Sequence, residues 1–302
     1  MMDNLIKYTR LLIGNGKYFA RIIFVYLLLF TRDPFTCELT VNLQNEGGEI
    51  FQESIWANTS ADTVKIEHLS TNGFMISQMI DFRRYLQSFR VTILGEEELD
   101  EIPHRTICFL MSLDENDFIP SDAMAKLIQK NRGTIRQPDT DKGRKIYEMN
   151  LVLNSSEAAS ISPFLKEACQ IDLLVPTNIY ANHFDILAWT RMHQRIMNTI
   201  HPSSEIFSQL EPHPTRCNSH LKGPVSVDKH GTDSAWKHLN NLKSPCQCRL
   251  NLCIDWYPCS LKYCRNRDNG QTSTYRCGIL SCKRCLELFF AVDHPYDCLW
   301  DD

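Results

Sequence analysis

The residues of this chain whose type and spacing most clearly suggest a chemical role are its cysteines, and most of them lie near the C-terminus. The chain has thirteen cysteines, and ten of them follow residue 216: Cys217, Cys246, Cys248, Cys253, Cys259, Cys264, Cys277, Cys282, Cys285 and Cys298. Such a density is typical of a disulfide framework or of a zinc module, and the compartment decides between the two.

The N-terminal segment indicates the compartment. Four basic residues precede a short apolar run, residues 22–30 (IIFVYLLLF), which has about half the roughly 20 apolar residues that a membrane-spanning helix needs. We therefore predict a signal peptide over residues 1–37 and a secreted, extracellular protein, with an uncleaved anchor as the alternative. Removal of this segment changes the net charge from −4 to −7, because it takes away five basic and two acidic residues. The negative charge argues against general binding to nucleic acids or to anionic membranes, and we expect no stable membrane insertion.

In an oxidising compartment we expect the twelve cysteines after residue 37 to form disulfides, with no metal and no cofactor. A zinc site is the alternative, because Cys246 with Cys248 and Cys282 with Cys285 could together supply four tetrahedral ligands. A redox-active pair at Cys282 and Cys285 is a further alternative. Ten cysteines allow nine times the 105 pairings of eight, so the residues alone give no pairing within the C-terminal module.

Two elements position the remaining pair of cysteines. Residues 105–113 (RTICFLMSL) are almost continuously apolar, which predicts a central strand that contains Cys108. Ser162, followed by a proline, predicts the start of a helix whose apolar face carries Cys169. A bridge between Cys108 and Cys169 would close a loop of about 60 residues and stabilise the fold by about 4 kcal/mol. Two buried free thiols are the alternative.

The pattern along the chain predicts two folded parts. Residues 38–200 contain alternating strand patterns, then helical ones, with a polar and charged stretch at residues 132–146 that we predict to be a mobile loop. Residues 201–245 are rich in His, Pro, Ser and Asn, which predicts a flexible linker. Residues 246–302 form the cysteine-rich module.

The sequence contains no recognisable catalytic pattern, since G-x-S-x-G, H-E-x-x-H and P-loop motifs are all missing. We therefore predict that the protein is not an enzyme. Asn58 and Asn154 each begin an N-glycosylation triplet. A small basic patch suits a glycosaminoglycan or is simply a solvated surface; it consists of Tyr263 with Lys262, Arg265 and Arg267.

Several runs of sequence resemble the out at first family of secreted proteins across most of residues 38–302. They are ILGEEE (93–98), IPSDAMAKLIQKN (119–131) followed by Arg136 and Gln137, WYPCSLKYC (256–264), YRCGILSC (275–282) and CLWD (298–301). Cys253 and Cys285 are additions to the usual C-terminal cysteines of that family, which suggests that they bridge each other. The linker is also longer than is usual.

The first domain of that family is similar to BRICHOS domains, and residues 79–89 (MIDFRRYLQSF) resemble the BRICHOS segment around an aspartate. Asp81, Cys108 and Cys169 occupy the positions of that aspartate and of the single disulfide. The resemblance implies an α+β fold, with a small BRICHOS-like sheet flanked by helices, followed by a disulfide-rich, loop-rich C-terminal module. Asp81 is either a buried acid that acts as a pH switch or the N-cap of a helix over residues 82–89.

The resemblance also implies a function. We expect a secreted, non-enzymatic protein whose residues 38–200 bind β-prone chain segments, as BRICHOS chaperones do, by strand addition or through an apolar sheet face. The partner is then a protein client, and residues 286–292 (LELFFAV) of the same chain are a candidate. The alternative is an extracellular ligand or matrix-interaction protein that meets a receptor through an exposed patch near Trp256 and Tyr257 or at Tyr263.

Overall fold

The computed structural model describes fourteen stretches of the chain, and the structural statements below concern these. They are residues 37–44, 47–70, 73–94, 104–114, 116–127, 131, 133–153, 157–169, 178–192, 207–210, 216–217, 245–268, 271–293 and 298. The predicted signal peptide lies outside the described residues, except that its last position, Cys37, is the first residue of a strand.

Strands account for most of the described residues. Their bounds in chain order are β1 (Cys37–Gln44), β2 (Ile50–Asn58), β3 (Thr63–Leu69), β4 (Met75–Asp81), β5 (Leu86–Leu94), β6 (His104–Ser112), β7 (Ile135–Arg136), β8 (Thr140–Met149), β9 (Leu151–Leu153), β10 (Ile179–Ala181), β11 (Phe207–Gln209), β12 (Cys246–Asp268) and β13 (Gln271–Val292). The helices are α1 (Ser121–Met124), α2 (Ala158–Ile161), α3 (Leu165–Ala168) and α4 (His183–Met192).

Ten of the strands form one sheet, here called sheet A, in the order β11-β9-β10-β6-β5-β4-β3-β2-β1-β7. β1 to β6 make an antiparallel meander, as expected for strands that are joined by short connections. β7 and β10 are added in parallel, beside β1 and β6 respectively. The predicted central strand is confirmed, because β6 lies inside the sheet with its apolar run buried on both faces.

The three remaining strands form sheet B, in the order β12-β13-β8. β12 and β13 are a single long antiparallel hairpin, and β8 pairs in parallel with β13. The hairpin has register irregularities on both sides of Pro258. A proline inside a strand has no N–H to donate to the ladder, so a bulge there is the expected outcome.

Sheet A is covered on both faces. One apolar cluster joins its first face to the hairpin and includes Phe109, Met111 and Phe290. A second cluster joins the other face to the helices and includes Cys108, Leu110 and the side chains of α2, α3 and α4. The alternation of side chains along β6 therefore sends odd and even residues into two different cores. Residues Cys37–Asp302 make up one compact unit.

The predicted α+β class with a small BRICHOS-like sheet flanked by helices is wrong. Strands dominate the described residues, and three of their four helices have only four residues each. The C-terminal module is disulfide-rich as predicted, but its described part is not loop-rich, because nearly all of those residues belong to the hairpin. The physical reason is that alternating apolar residues on both strands of the hairpin can be buried on sheet A.

The stretch predicted as a mobile loop is also different in the structure. Residues 132–146 contain β7 and most of β8. Nearly all of the β8 side chains are exposed, so the strand is held by backbone pairing with β13 and not by burial of apolar residues. An apolar pattern could not reveal such a strand. None of the described helices is long and apolar enough to cross a membrane.

Candidate functional site

The strongest candidate for a functional contact is the interface between sheet A and the hairpin. At its centre lies Phe290, which is 1% exposed and belongs to the β-prone run 286–292. The Phe290 ring packs against Phe109, with ring centroids 5.3 Å apart, and against Tyr180 at 5.0 Å. Because Phe109 and Tyr180 are neighbours in sheet A, the three rings make one aromatic cluster across the interface.

A second aromatic contact lies further along the hairpin. The ring of Phe118 stacks on Tyr257 at a centroid distance of 5.2 Å, and the backbone N–H of Ile119 donates to the carbonyl of Pro258 at 3.2 Å. Burial raises the pKa of Tyr257 far above its ordinary value. The Tyr257 hydroxyl therefore stays protonated near pH 7, and the residue contributes to the interface through the packing of its uncharged ring.

Charged side chains surround the apolar contact. Asp117 accepts from Arg284 of the hairpin in a bidentate ion pair and from Lys142 of β8 at 2.5 Å. On the same strand β13, Glu287 pairs with Arg249 at 2.5 Å and with Arg144 of β8 at 3.5 Å. β8 thus supplies one basic side chain to Asp117 and one to Glu287, and these two ion pairs fix the position of β8 along the hairpin.

A group of buried ionisable residues lies inside the same interface. Glu53 and His68 are opposite each other on β2 and β3, and they are 0% and 6% exposed. The His68 Nε2 lies 3.2 Å from the carbonyl oxygen of Cys253 in β12, but neither carboxyl oxygen of Glu53 has a hydrogen-bond partner among the described residues. Burial first, and the charge of Asp255 second, raise the pKa of Glu53 well above its ordinary value.

We expect Glu53→Gln to stabilise the protein at pH 7.5 but not at pH 4. The folded state keeps the proton of Glu53 over a pH range in which the unfolded state loses it, so the contribution of Glu53 to stability falls as the pH rises above the unfolded pKa. The neutral amide removes this loss. The gain in unfolding free energy at pH 7.5 should exceed about 1.4 kcal/mol, the equivalent of one pKa unit. Denaturant titrations of both proteins at the two pH values measure it.

The titration of His68 does not disturb the comparison between the wild type and Glu53→Gln. Burial lowers its pKa, so its own contribution to stability is lost as the pH falls below the unfolded value. This effect has the opposite sign to that of Glu53 and is present in both proteins, so it cancels in their difference. A stability difference that is the same at pH 4 and pH 7.5 would contradict a buried, protonated Glu53.

Asp81 lies on the other face of sheet A, away from the hairpin. It is the last residue of β4, and its carboxylate accepts from the hydroxyl of Ser162 at 2.8 Å and from the backbone N–H and the guanidinium of Arg84. Residues 82–85 form a turn into β5, so the alternative of a helix N-cap over residues 82–89 is wrong. Asp81 instead ties the sheet to the segment before α3, and Cys169 directly follows that helix. Its role as a pH switch stays a prediction.

One anchoring residue was not predicted from the sequence. Asp185, in the first turn of α4, accepts from the backbone N–H of Ser112 at 2.5 Å and from its hydroxyl at 2.6 Å. Trp189, one turn further on, donates from its indole N–H to the carbonyl of Arg84 at 2.6 Å. The only sequence signal was an acid at a helix start, which most often serves the helix dipole alone.

All twelve cysteines that follow Cys37 are paired in disulfides. The bridges are Cys108–Cys169, Cys217–Cys246, Cys248–Cys298, Cys253–Cys285, Cys259–Cys282 and Cys264–Cys277. The first is the bridge predicted between strand and helix, and the fourth is the one suggested by the two additional cysteines. Cys282 and Cys285 do not pair with each other.

The zinc alternative does not fit this arrangement, because its four cysteines, Cys246, Cys248, Cys282 and Cys285, belong to four different disulfides. The sulfur atoms of Cys217, Cys248 and Cys298 lie within 4.8 Å of one another, as metal ligands would. Each of the three, however, is part of a disulfide, and a bridged sulfur is not the thiolate that zinc requires. The cluster is therefore a pair of adjacent disulfides at the base of the hairpin.

The remaining predicted sites differ in exposure. Asn58 is 7% exposed, and its side-chain oxygen accepts from the Ser60 hydroxyl and the Ala61 N–H, whereas Asn154 lies outside the described residues. Glycosylation at both stays a prediction. Of the three aromatic residues proposed for an exposed recognition patch, Trp256 and Tyr257 are buried, and Tyr263 is 66% exposed.

Comparison with known proteins agrees with this architecture of two parts. The family model described as "Out at first" matches residues 37–189, and that described as "Out at first, C-terminal" matches residues 235–302. No solved structure matches. The chain is 34% identical over 285 residues to "Out at first protein" of Drosophila virilis, covering 91% of this chain and 86% of the relative.

A second relative has the same name in Drosophila melanogaster and is 33% identical over 287 residues. That alignment covers 91% of this chain but 54% of the relative, so the chain spans about half the length of the Drosophila melanogaster protein. Both family models and both relatives therefore agree with the resemblance found in the sequence. The chain belongs to the out at first family.

Proposed function

We propose that this is a secreted, non-enzymatic protein in which residues 37–210 act as a chaperone for the β-prone hairpin of the same chain. The observation that carries the proposal is the burial of Phe290 between Phe109 and Tyr180, because Phe290 belongs to the β-prone run 286–292 and packs there on sheet A. The six disulfides support an extracellular location, since such bridges persist in oxidising compartments.

The first supporting contact is the apolar face of β13. Leu286, Leu288, Phe290 and Val292 alternate along the strand, and all four are buried. Without sheet A this face would expose a run of high β-propensity and low net charge, which is the signature of segments that form cross-β aggregates. Its burial on sheet A is therefore the shielding that a chaperone of β-prone segments provides.

The second supporting contact is strand addition. β8 pairs with β13 from Cys282 to Phe290 and so occupies the edge of β13 that faces away from β12. An unpaired edge of this length would be a template for pairing with other chains. The polar side chains of β8 suit this role, because they make the covered edge water-soluble. These two contacts correspond to the two binding modes that the resemblance implies, a sheet face and an added strand, and so support the proposal.

The disulfides permit a direct test, because each bridge lies wholly before or wholly after residue 216. A site-specific protease sequence in place of residues 211–215 would give two pieces with no covalent link between them. We expect the pieces to co-elute in size-exclusion chromatography under non-reducing conditions. They should also stay together in about 1 M NaCl, because salt screens the exposed ion pairs but not the apolar contact.

The released pieces test the chaperone role itself. After separation in denaturant and removal of the denaturant, the C-terminal piece alone should form thioflavin-positive aggregates, and an equimolar amount of the N-terminal piece should suppress them. Independent elution of two soluble pieces, with the C-terminal one correctly bridged, would contradict the proposal. A soluble C-terminal piece would then favour the second function, recognition of an extracellular ligand by the hairpin, for which the exposure of Tyr263 is the relevant observation.

A further inference from the structure

The far end of the hairpin carries an exposed surface that the contact with sheet A does not use. Beyond the buried segment, the side chains of residues 262, 263, 265 and 274–278 are exposed. Tyr263 and Tyr275 are 66% and 52% exposed, which is unusual for large aromatic residues. This end of the hairpin is available to a partner, whatever the role of sheet A.

The strand register places three notable side chains on one face. Tyr263 is directly opposite Arg276, and Arg265 is two residues further along the same strand as Tyr263. Directly opposite residues share a face of an antiparallel pair, and so do residues i and i+2 of one strand. The resulting group of Tyr263, Arg265 and Arg276 is called the arginine face below. Thr274, opposite Arg265, lies on it as well.

The charge of this end is opposite to that of the chain. Residues 260–281 contain four basic residues and one acidic residue, whereas the whole chain has a net charge of −4. Arg265 and Arg276 are exposed, and neither takes part in any ion pair formed among the described residues. Unpaired arginines at neighbouring positions attract anions with planar, multidentate oxygen groups, because the guanidinium donates several N–H bonds in a fixed plane.

Two disulfides and the polar contacts of Asp139 hold the arginine face rigid. Cys264, which points away from the arginine face, is bridged to Cys277, and the next bridge towards sheet A is Cys259–Cys282. Asp139 accepts from the hydroxyl and backbone N–H of Ser281 and lies 3.3 Å from the Lys262 Nζ. A preorganised surface loses less entropy on binding than a mobile one.

We propose that the arginine face binds a sulfated polysaccharide of the glycosaminoglycan class. Charge complementarity supports a polyanion, and the ring of Tyr263 offers a flat apolar surface with a polar edge for a sugar ring. An anionic membrane suits the surface less well, because the arginine face has no exposed aliphatic side chain to insert among lipids. This inference does not depend on the chaperone role of residues 37–210.

The test uses the full chain and heparin as the probe. The double variant Arg265→Ala/Arg276→Ala is compared with Arg136→Ala/Arg191→Ala, which removes two exposed arginines at other places on the surface. Wild type and control should bind immobilised heparin equally, and the arginine-face variant should bind on the order of tenfold more weakly, with elution at lower salt. Equal thermal midpoints and correct bridges in all three proteins confirm that folding is unchanged.

A lysine variant and a vesicle-binding measurement distinguish between the possible explanations of the heparin result. Lysine at both positions should restore only part of the affinity, because an ammonium group cannot make the bidentate contact. Equal losses in both alanine variants, or no heparin binding by the wild type, would overturn the proposal. Binding of the wild type to phosphatidylserine vesicles but not to heparin, abolished by the same variant, would also overturn it and assign the surface to a membrane.

Discussion

Replacement of Phe290 by alanine should lower the free energy of unfolding by about 3–5 kcal/mol, one of the two largest effects that we expect in this protein. The ring is 1% exposed and contacts both Phe109 and Tyr180, so its removal leaves a cavity between sheet A and the hairpin that the surrounding side chains cannot fill. Denaturant unfolding with the disulfides intact measures the loss. We also expect faster proteolysis of the hairpin, because the variant opens this interface more often.

The matched control is Phe184→Ala. Phe184 is 76% exposed on α4, so its truncation should change the unfolding free energy by no more than about 0.5 kcal/mol. Equal losses for the two variants would mean that Phe290 is not a core residue of the folded protein. A loss at Phe290 without a change in hairpin proteolysis would show that the interface opens only on global unfolding.

Removal of the bridge between Cys108 and Cys169 should have a comparable effect. The bridge spans 61 residues, for which the chain-entropy model gives about 4 kcal/mol. It also fastens α3, a helix of four residues that is too short to be stable without tertiary contacts. The double alanine variant should therefore lose about 4 kcal/mol of unfolding free energy, and hydrogen exchange should show lost protection at α3.

The comparison for this variant is the pair Cys264 and Cys277. That bridge spans 13 residues at the exposed end of the hairpin, and the same model gives about 3 kcal/mol for it. Hydrogen exchange at α3 should not change in the double alanine variant of that pair. If the Cys108 and Cys169 variant lost less than about 1 kcal/mol, or kept full protection at α3, the bridge would not fasten the helix as the structure indicates.

Features encoded locally could be predicted from the sequence. The alternating and apolar patterns between residues 38 and 113 predict strands, and β1 to β4 and β6 lie there, whereas β5 overlaps residues 82–89, for which a helix is the alternative prediction. The bridge between Cys108 and Cys169 followed from the faces of two elements. The bridge between Cys253 and Cys285 followed only from the family resemblance, because no property of the residues distinguished it.

Features that depend on distant pairing could not be predicted. β8 is polar and exposed, and its partner β13 begins more than 120 residues later, so the information that makes it a strand is not in its own residues. The same holds for the buried acid at the interface. Glu53 lies on the same face of β2 as the buried Ile55 and Ala57, and the contact of its neighbour His68 with β12 shows that the distant hairpin covers this face.

The position of the bridges relative to residue 216 also has a consequence for biosynthesis. Synthesis proceeds from the N-terminus at about 5–20 residues per second, so in the secreted protein that we propose Cys108 and Cys169 enter the oxidising compartment before the cysteines of the hairpin. Twelve cysteines released together would allow roughly ten thousand pairings, and the last ten alone allow roughly nine hundred. The order of translation therefore removes most wrong partners, and sheet A can be complete before the hairpin packs against it.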